Sequence, residues 1–405
     1  MKKIILILFM AFLLTSCAGK EMLDDSKATK EMINEVSEAN NKFAFDFFNQ
    51  IDDDENLFFS PYSLSSAFSI VAEGAKGQTY DEMKSVFYLP DEDVRKNGNA
   101  GIYNLINKKN QKYKLSTANA LWVKNDYLIK EEFLISGKDY YGAEIKNMNF
   151  LNAAASAREI NNWIEDETNN KIKDVLSPSD LTAFTRLVIS NAIYFKGKWE
   201  VEFEKSDTYE EEFHLSKDNT VNVDTMHLSG KDARFNYFLG EDFQMLELPY
   251  KDDEVSMIII LPESIENFSL DYDKFNSARF NYQNAILSLP KFKFETKYLL
   301  NSEFKEMGMP TAFNDTQADF SGIHEPKRPS EKLYISKVIH QAFIDVNEEG
   351  TEAAAATLIL MADTAAAIPM EPIEFKVDKP FMFVIKHKES NEILFMGKVM
   401  DPREE

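Results

Sequence analysis

Asn347-Glu-Glu-Gly-Thr-Glu-Ala-Ala-Ala-Ala-Thr-Leu-Ile-Leu-Met-Ala-Asp-Thr-Ala-Ala-Ala-Ile-Pro-Met370 is the stretch on which the fold turns. Ala353, Ala354, Ala355 and Ala356 are good helix formers by propensity. Yet Gly350 lies just upstream, Thr351 and Thr357 flank the run, and no spaced apolar stripe exists that would dock a helix on a core. A segment of this kind has little reason to hold one conformation. Its small side chains let it slide into a narrow place elsewhere in the protein, and the remaining residues decide where that place lies.

The 405-residue chain is 44% hydrophobic and holds 32 Phe, ample for a large core in one domain or two. Its formal net charge of −23 opposes nucleic-acid phosphates and anionic lipid, so no nucleic-acid partner is expected. Residues 1–16 read as a signal segment: Lys2 and Lys3, an apolar run over residues 4–14, then Thr15 and Ser16 before Cys17. That run is too short to remain as a membrane-spanning helix. Leu14-Thr15-Ser16-Cys17 resembles a bacterial lipobox, which implies export, with Cys17 lipidated as the first residue of the mature chain and held at the cell envelope by its acyl chains. Cys17 is the only cysteine, so no internal disulfide is possible, and loss of Lys2 and Lys3 shifts the charge from −23 to −25. Residues 17–30, small, polar and acidic, read as a solvated tether, and residues 31–405 as a single domain with no internal linker or repeat.

Ile33, Val36, Ala39, Phe43, Phe47 and Ile51 recur at spacings of three and four, predicting an amphipathic helix over residues 32–51. Residues 56–68 form an apolar run with hydroxyls inside it, passing through Pro61 into another helix, where proline suits the first turn. Thr79 and Glu82 have the spacing of a capping box, residues 91–99 read as a polar loop, and residues 153–167 return to helical spacing through Ile160, Trp163 and Ile164. Residues 115–123 and 187–199 read as buried strands. The continuous apolarity of 187–199 requires cover on both faces. Beyond residue 212 strands dominate, at 245–248, 255–261, 285–289, 291–295, 338–346, 381–386 and 393–399, with short helical or loop pieces at 304–307 and 319–323. Helices lead, strands follow, and helix signals recur among the strands, the pattern of an α+β domain built on large sheets.

The five histidines form no His-Glu-x-x-His, and with Cys17 in the leader there is no Cys/His cluster, so no metal or other cofactor is expected. Gly-x-Ser-x-Gly and the phosphate-cradling Gly-x-x-x-x-Gly-Lys are also missing. A triad dispersed through the chain is defined by geometry and not by spacing, so an enzyme reading rests on no motif here. His340 is distinctive because it lies inside the apolar run Ile339-His340-Gln341-Ala342-Phe343. A buried histidine needs polar partners, and Ser60, Ser63 and Asn191 are each embedded in apolar runs. Such a cluster is either a lock that holds a sheet in register or a latch that opens.

These residues resemble the serpin family over nearly all of residues 31–402. The resemblance is carried by Asn56-Leu-Phe-Phe-Ser-Pro-Tyr-Ser63, by Gly74-Ala-Lys-Gly77 with Thr79, by Ser190-Asn-Ala-Ile-Tyr-Phe-Lys-Gly-Lys-Trp199 and by the hinge Asn347-Glu-Glu-Gly-Thr-Glu-Ala-Ala-Ala-Ala-Thr357. Lys379-Pro-Phe381 and Leu394-Phe-Met-Gly-Lys-Val-Met-Asp-Pro402 complete the set. It implies a fold of about nine helices and three β-sheets with an exposed reactive-centre loop near residues 347–374. It also implies that Ser60, Ser63, Asn191 and His340 form the family's shutter and Trp199 its breach.

The implied activity is irreversible suicide-substrate inhibition of serine or cysteine endopeptidases, without catalysis by the chain itself. A protease cleaves the loop, is held as an acyl-enzyme, and is carried along as the freed loop inserts into the main sheet, serpins being a standing example of strand addition. Side chains alternate across a strand. Thr351, Ala353, Ala355 and Thr357 therefore face inward, and Glu352, Ala354 and Ala356 outward. All four inward residues are small and uncharged, as insertion requires; a non-inhibitory binding or surface protein on the same scaffold is the alternative. Counting from Gly350 places the scissile bond at Thr364–Ala365, whereas counting back from Lys379-Pro380-Phe381 places it near Pro369–Met370. The loop is thus longer than the family's usual pattern, and Met361 and Met370 are alternative sites. No Lys or Arg lies between Gly350 and Glu374, so an elastase-like, chymotrypsin-like or papain-like target fits better than a trypsin-like one. A monomer is expected.

Overall fold

The computed structural model describes residues 22–51, 55–108, 112–168, 170–266, 268–328, 331–351 and 371–403. Among the described residues there are eight α-helices: α1 (Lys30–Gln50), α2 (Pro61–Gly74), α3 (Gly77–Val86), α4 (Glu92–Ile106), α5 (Glu131–Tyr141), α6 (Ala153–Glu167), α7 (Tyr272–Ser277) and α8 (Asn301–Glu306). The strands of the first half are β1 (Leu57–Phe59), β2 (Tyr113–Lys124), β3 (Glu144–Met148), β4 (Leu187–Lys198), β5 (Thr208–Ser216), β6 (Asn219–Leu228), β7 (Arg234–Leu239) and β8 (Phe243–Pro249). Those that follow are β9 (Val255–Pro262), β10 (Asn281–Pro290), β11 (Phe292–Leu299), β12 (Ile335–Asn347), β13 (Gly350–Thr351), β14 (Ile373–Lys376), β15 (Phe381–His387) and β16 (Glu392–Val399).

One sheet has six strands in the order β11-β12-β13-β4-β2-β3. A second runs β1-β16-β15-β9-β8-β7 and passes through β10 into a third, β10-β6-β5, with β14 also on β10. The junction is β10 itself: residues 281–284 pair with β7 and residues 287–290 with β6, so the second and third sheets share one strand. The six-stranded sheet is covered on both faces, as the unbroken apolarity of β4 requires. On one face Val188, Ala192, Trp122 and Ile339 meet Ile160 and Ile164 of α6. On the other, Ile193, Phe195, Ala342 and Ile344 meet Phe383 and Phe395 of the second sheet.

The helix α2 is buried on nearly every side, its serines included. Ser60 caps it, its hydroxyl accepting from the Ser63 N–H at 3.1 Å, and Pro61 occupies the first turn as its sequence predicts.

Several expectations are corrected. Residues 91–99 are not a loop but the start of α4, whose polar face is buried against the protein. Asn97 and Asn99 donate to the Asp93 and Arg95 carbonyls one turn back, and Gly98 lets α1 approach: a Cβ there would lie 2.7 Å from the Met32 carbonyl oxygen. Thr79 and Glu82 make no capping box, because α3 starts earlier with Lys76 at its N-cap. The Thr79 hydroxyl instead accepts from Asp319 N–H at 3.0 Å, and Glu82 accepts from Thr311. Residues 23–30, read above as part of a solvated tether, lie against the domain instead. Leu23 exchanges two backbone hydrogen bonds with the Asn104 side chain at 2.9 Å each, and α1 begins at Lys30 behind a Thr29 cap.

Candidate functional site

The hinge enters the main sheet at one point. Gly350 and Thr351 form β13, antiparallel to both neighbours, with Thr351 opposite Val346 on β12 and Gly197 on β4. Only glycine fits the first position: Gly350 has φ +147°, and a Cβ would lie 2.0 Å from the Gly197 carbonyl oxygen. Thr351 points inward, buried, with its hydroxyl 2.6 Å from the Tyr250 hydroxyl. Beyond it, residues 352–370 lie outside the described residues, and with them Glu352, Ala353, Ala354, Ala355, Ala356, Thr357, Met361, Thr364, Ala365 and Met370. The leader and Cys17 lie outside them as well.

Trp199 is the hub of this entry. Its indole N–H donates to the Asn347 carbonyl at 2.9 Å, its backbone N–H to the Glu349 carbonyl at 3.0 Å, and its ring stacks on Tyr250 at 4.5 Å between centroids. Phe203 N–H donates to the Glu348 carbonyl at 2.9 Å. Two ion pairs flank the contact, Glu348 with Lys291 at 3.1 Å and Glu349 with Lys205 at 3.0 Å. Burial pushes the Glu348 carboxyl up, but a backbone hydrogen bond and the Lys291 ammonium bring it below the usual carboxylate range.

Below β13, β12 and β4 close on each other as a parallel pair, and His340 stands directly opposite Asn191 across that seam. His340 Nε2 accepts from the Ser60 backbone N–H at 3.0 Å. The ring proton therefore sits on Nδ1, which donates to Asn191 Oδ1 at 2.5 Å. Burial pushes His340 down to about 3, so the ring is neutral. Asn191 Nδ2 in turn donates to Ser63 Oγ and to Asn119 Oδ1, each at 2.5 Å, while Ser60 Oγ donates to the Leu394 carbonyl at 2.6 Å.

The structure thus brings Ser60, Ser63, Asn191 and His340 into one buried network joining α2, β4 and β12, with Trp199 at the hinge entry above. It adds two members that sequence reasoning missed, Asn119 on β2 and Ser66 on α2, linked at 3.2 Å. Asn119 had the same signal as Asn191, an amide inside an apolar strand run, and it pairs with Asn191 across β2 and β4.

Comparison with known proteins agrees with this architecture. A family model, Serpin (serine protease inhibitor), matches residues 38–402. The chain is 42% identical over 386 residues to a serpin-like protein of Methanosarcina acetivorans, covering 92% of this chain and 89% of that protein. It is 38% identical to leukocyte elastase inhibitor A of Rattus norvegicus, covering 91% of this chain and 100% of the relative. Among solved structures, Serpin48 of the insect Tenebrio molitor, described as a highly specific serpin, superposes with a TM-score of 0.76 at 33% identity over 94% of this chain and 100% of its own. With hinge, seam and buried network laid out as above and the family model spanning nearly the whole fold, this chain belongs to the serpin family.

Proposed function

We propose that the protein is an irreversible suicide-substrate inhibitor of serine or cysteine endopeptidases, acting by cleavage, acylation and loop insertion. The observation that carries this reading is the wedge at β13: the loop has already begun a strand between β12 and β4, in antiparallel register and with a small, inward threonine. Continuing that register two residues at a time puts Ala353 between Ile344 and Phe195, Ala355 between Ala342 and Ile193, and Thr357 between His340 and Asn191. Each inward position from 351 to 357 is filled by a small uncharged residue, and Thr357 would displace the hydrogen bond that joins the two strands; Ile359 and Met361 follow at the same parity. The slot closes near residue 361, opposite Leu187 at the start of β4. A bond at Thr364–Ala365 lies just past the far end of the sheet, a travel of about 40 Å at roughly 3.3 Å per residue. One at Met370 leaves a long uninserted tail, so the register supports Thr364 and Ala365 over Met370.

The absence of Lys and Arg from the loop supports an elastase-like, chymotrypsin-like or papain-like target. Leukocyte elastase inhibitors among the relatives point the same way. The lipobox-like leader supports display at a bacterial cell envelope through Cys17. Incubation with elastase, chymotrypsin and papain should give an SDS-stable complex with at least one of them, releasing a C-terminal peptide whose mass begins at Ala365. Cleavage without complex in all three would leave a serpin-fold binding or surface protein instead.

A further inference from the structure

At the end of the six-stranded sheet opposite the hinge, β2 and β3 finish and β4 and β12 begin. The connections there run side by side. Lys124 donates its backbone N–H to the Arg186 carbonyl at 2.8 Å and its Nζ to the Ala183 carbonyl at 3.2 Å, the Arg186 guanidinium lies over the Tyr127 ring at 5.6 Å, and Asn125 N–H donates to the Met148 carbonyl at 3.0 Å. Beneath them Phe150 and Leu181 share the apolar core that α6 covers.

Each of these three loops presents one large apolar side chain to solvent: Leu128 is 83% exposed, Leu151 70% and Phe184 74%. Among the large apolar side chains of the described residues, only Leu239 reaches a comparable exposure. One such side chain on a surface is ordinary, but three on adjoining loops make a surface suited to contact. The loops are also tied down. Phe184 N–H donates to Thr182 Oγ1 at 3.2 Å and the Phe184 carbonyl accepts from the Tyr334 hydroxyl at 2.9 Å; the Leu128 carbonyl accepts from His324 Nδ1 at 3.0 Å, and Leu151 N–H donates to Asn149 Oδ1 at 3.3 Å. Apolar groups held out on fixed backbone lose little freedom when something covers them.

The hinge register says what arrives at this end. With Thr351 opposite Gly197, residue 361 falls opposite Leu187, and Thr364 lies three residues, roughly 10 Å, past the start of β4. Phe184 precedes Leu187 by the same three residues. Resting on the inhibitory reading above, we propose that Leu128, Leu151 and Phe184 form a second docking surface for the target protease, used only after insertion and matched to an apolar surface of that enzyme. Before cleavage the loop leaves the sheet beside Gly197, ten residues or about 33 Å along β4 from Leu187, so the first encounter leaves these side chains bare. Contacts made only in the inserted state favour that state and not the encounter.

The test compares wild type with Leu128→Ser, Leu151→Ser and Phe184→Ser, singly and together, using whichever of elastase, chymotrypsin or papain forms the SDS-stable complex. All three positions are exposed, so the intact variants should melt with wild type. Association rate and yield of complex should be unchanged, while protease activity should return from the purified complex roughly fivefold faster in each single variant. Amide exchange at residues 126–129, 150–152 and 183–185 should be slower in the wild-type complex than in the cleaved protein alone. Unchanged lifetimes or unprotected loops in a complex that does form overturn this docking surface and leave inhibition standing. Self-association of the intact protein that Phe184→Ser abolishes overturns it too, by assigning the surface to a second copy of the chain. Failure of wild type to form any complex removes the inhibitory reading, and this surface with it.

Discussion

At the residue scale, Thr351 carries the greatest functional weight for its size. Its side chain is 1% exposed against Tyr250, in a place where a charge would be left without water or partner at a cost of several kcal/mol. Thr351→Arg should therefore still be cleaved but form no SDS-stable complex, because the first inserted position cannot be filled. A persistent complex in this variant would rule out insertion from this hinge. Glu392 is a different case. It is fully buried on β16, with Oε1 accepting from Asn40 at 3.1 Å and Oε2 without a partner among the described residues, and burial pushes it up to about 8 against the pull of the Asn40 hydrogen bond. The native state thus holds a proton that the unfolded chain releases near 4.5. This contribution is fully present below the unfolded value and is lost as pH rises through about 8. Urea midpoints of wild type should fall between pH 5 and pH 9 more steeply than those of Glu392→Gln, which keeps the shape and cannot ionise.

At the scale of elements, the hinge is clamped from one side. The connection from β4 to β5 supplies Trp199 and Phe203 as donors to the carbonyls of residues 347–349, while Lys291 and Lys205 pin the carboxylates. Glu348→Lys would set two cations face to face beside a carbonyl clamp that depends on the same backbone. With Lys291 partly exposed, the loss is about 1 kcal/mol, read as roughly fivefold faster amide exchange at Trp199 and Phe203. Unchanged exchange would show that the carbonyl contacts hold the hinge without the ion pair. The same scale explains the misreading of α4. Residues 91–99 are polar with a glycine, which by pattern alone reads as a loop. The helix forms because those asparagines satisfy carbonyls of their own helix and because Gly98 makes room for α1, neither of which has a periodic signature.

At the scale of the whole molecule, the described fold keeps a parallel seam between β12 and β4 where an antiparallel strand would fit. Parallel pairing is slightly the weaker of the two arrangements, and the proposed insertion would replace one such seam with two antiparallel ones. About ten additional ladder bonds at roughly 1 kcal/mol each give ~10 kcal/mol in favour of the inserted form. For a fold of this size that corresponds to a rise of roughly 12 °C in Tm. Cleavage within residues 358–370 by a protease that escapes inhibition should produce that rise in calorimetry. A cleaved form melting with the intact protein would mean that the loop stays out.

The sequence by itself determined many of the elements, though not α4, and the residue chemistry of the hinge. Unbroken apolarity marked β4 as doubly covered, alternation of small residues marked which face of the hinge turns inward, and polar residues inside apolar runs marked Ser60, Ser63, Asn191 and His340. These signals are local, because they arise from periodicity and from the cost of burying a polar group. Tertiary structure alone decided that Asn191 faces His340 across the β12–β4 seam, that Asn119 completes the network, and that Gly350 wedges against Gly197. Register between strands far apart in the chain is set by packing on both faces of a sheet at once, and no single stretch of residues carries that information.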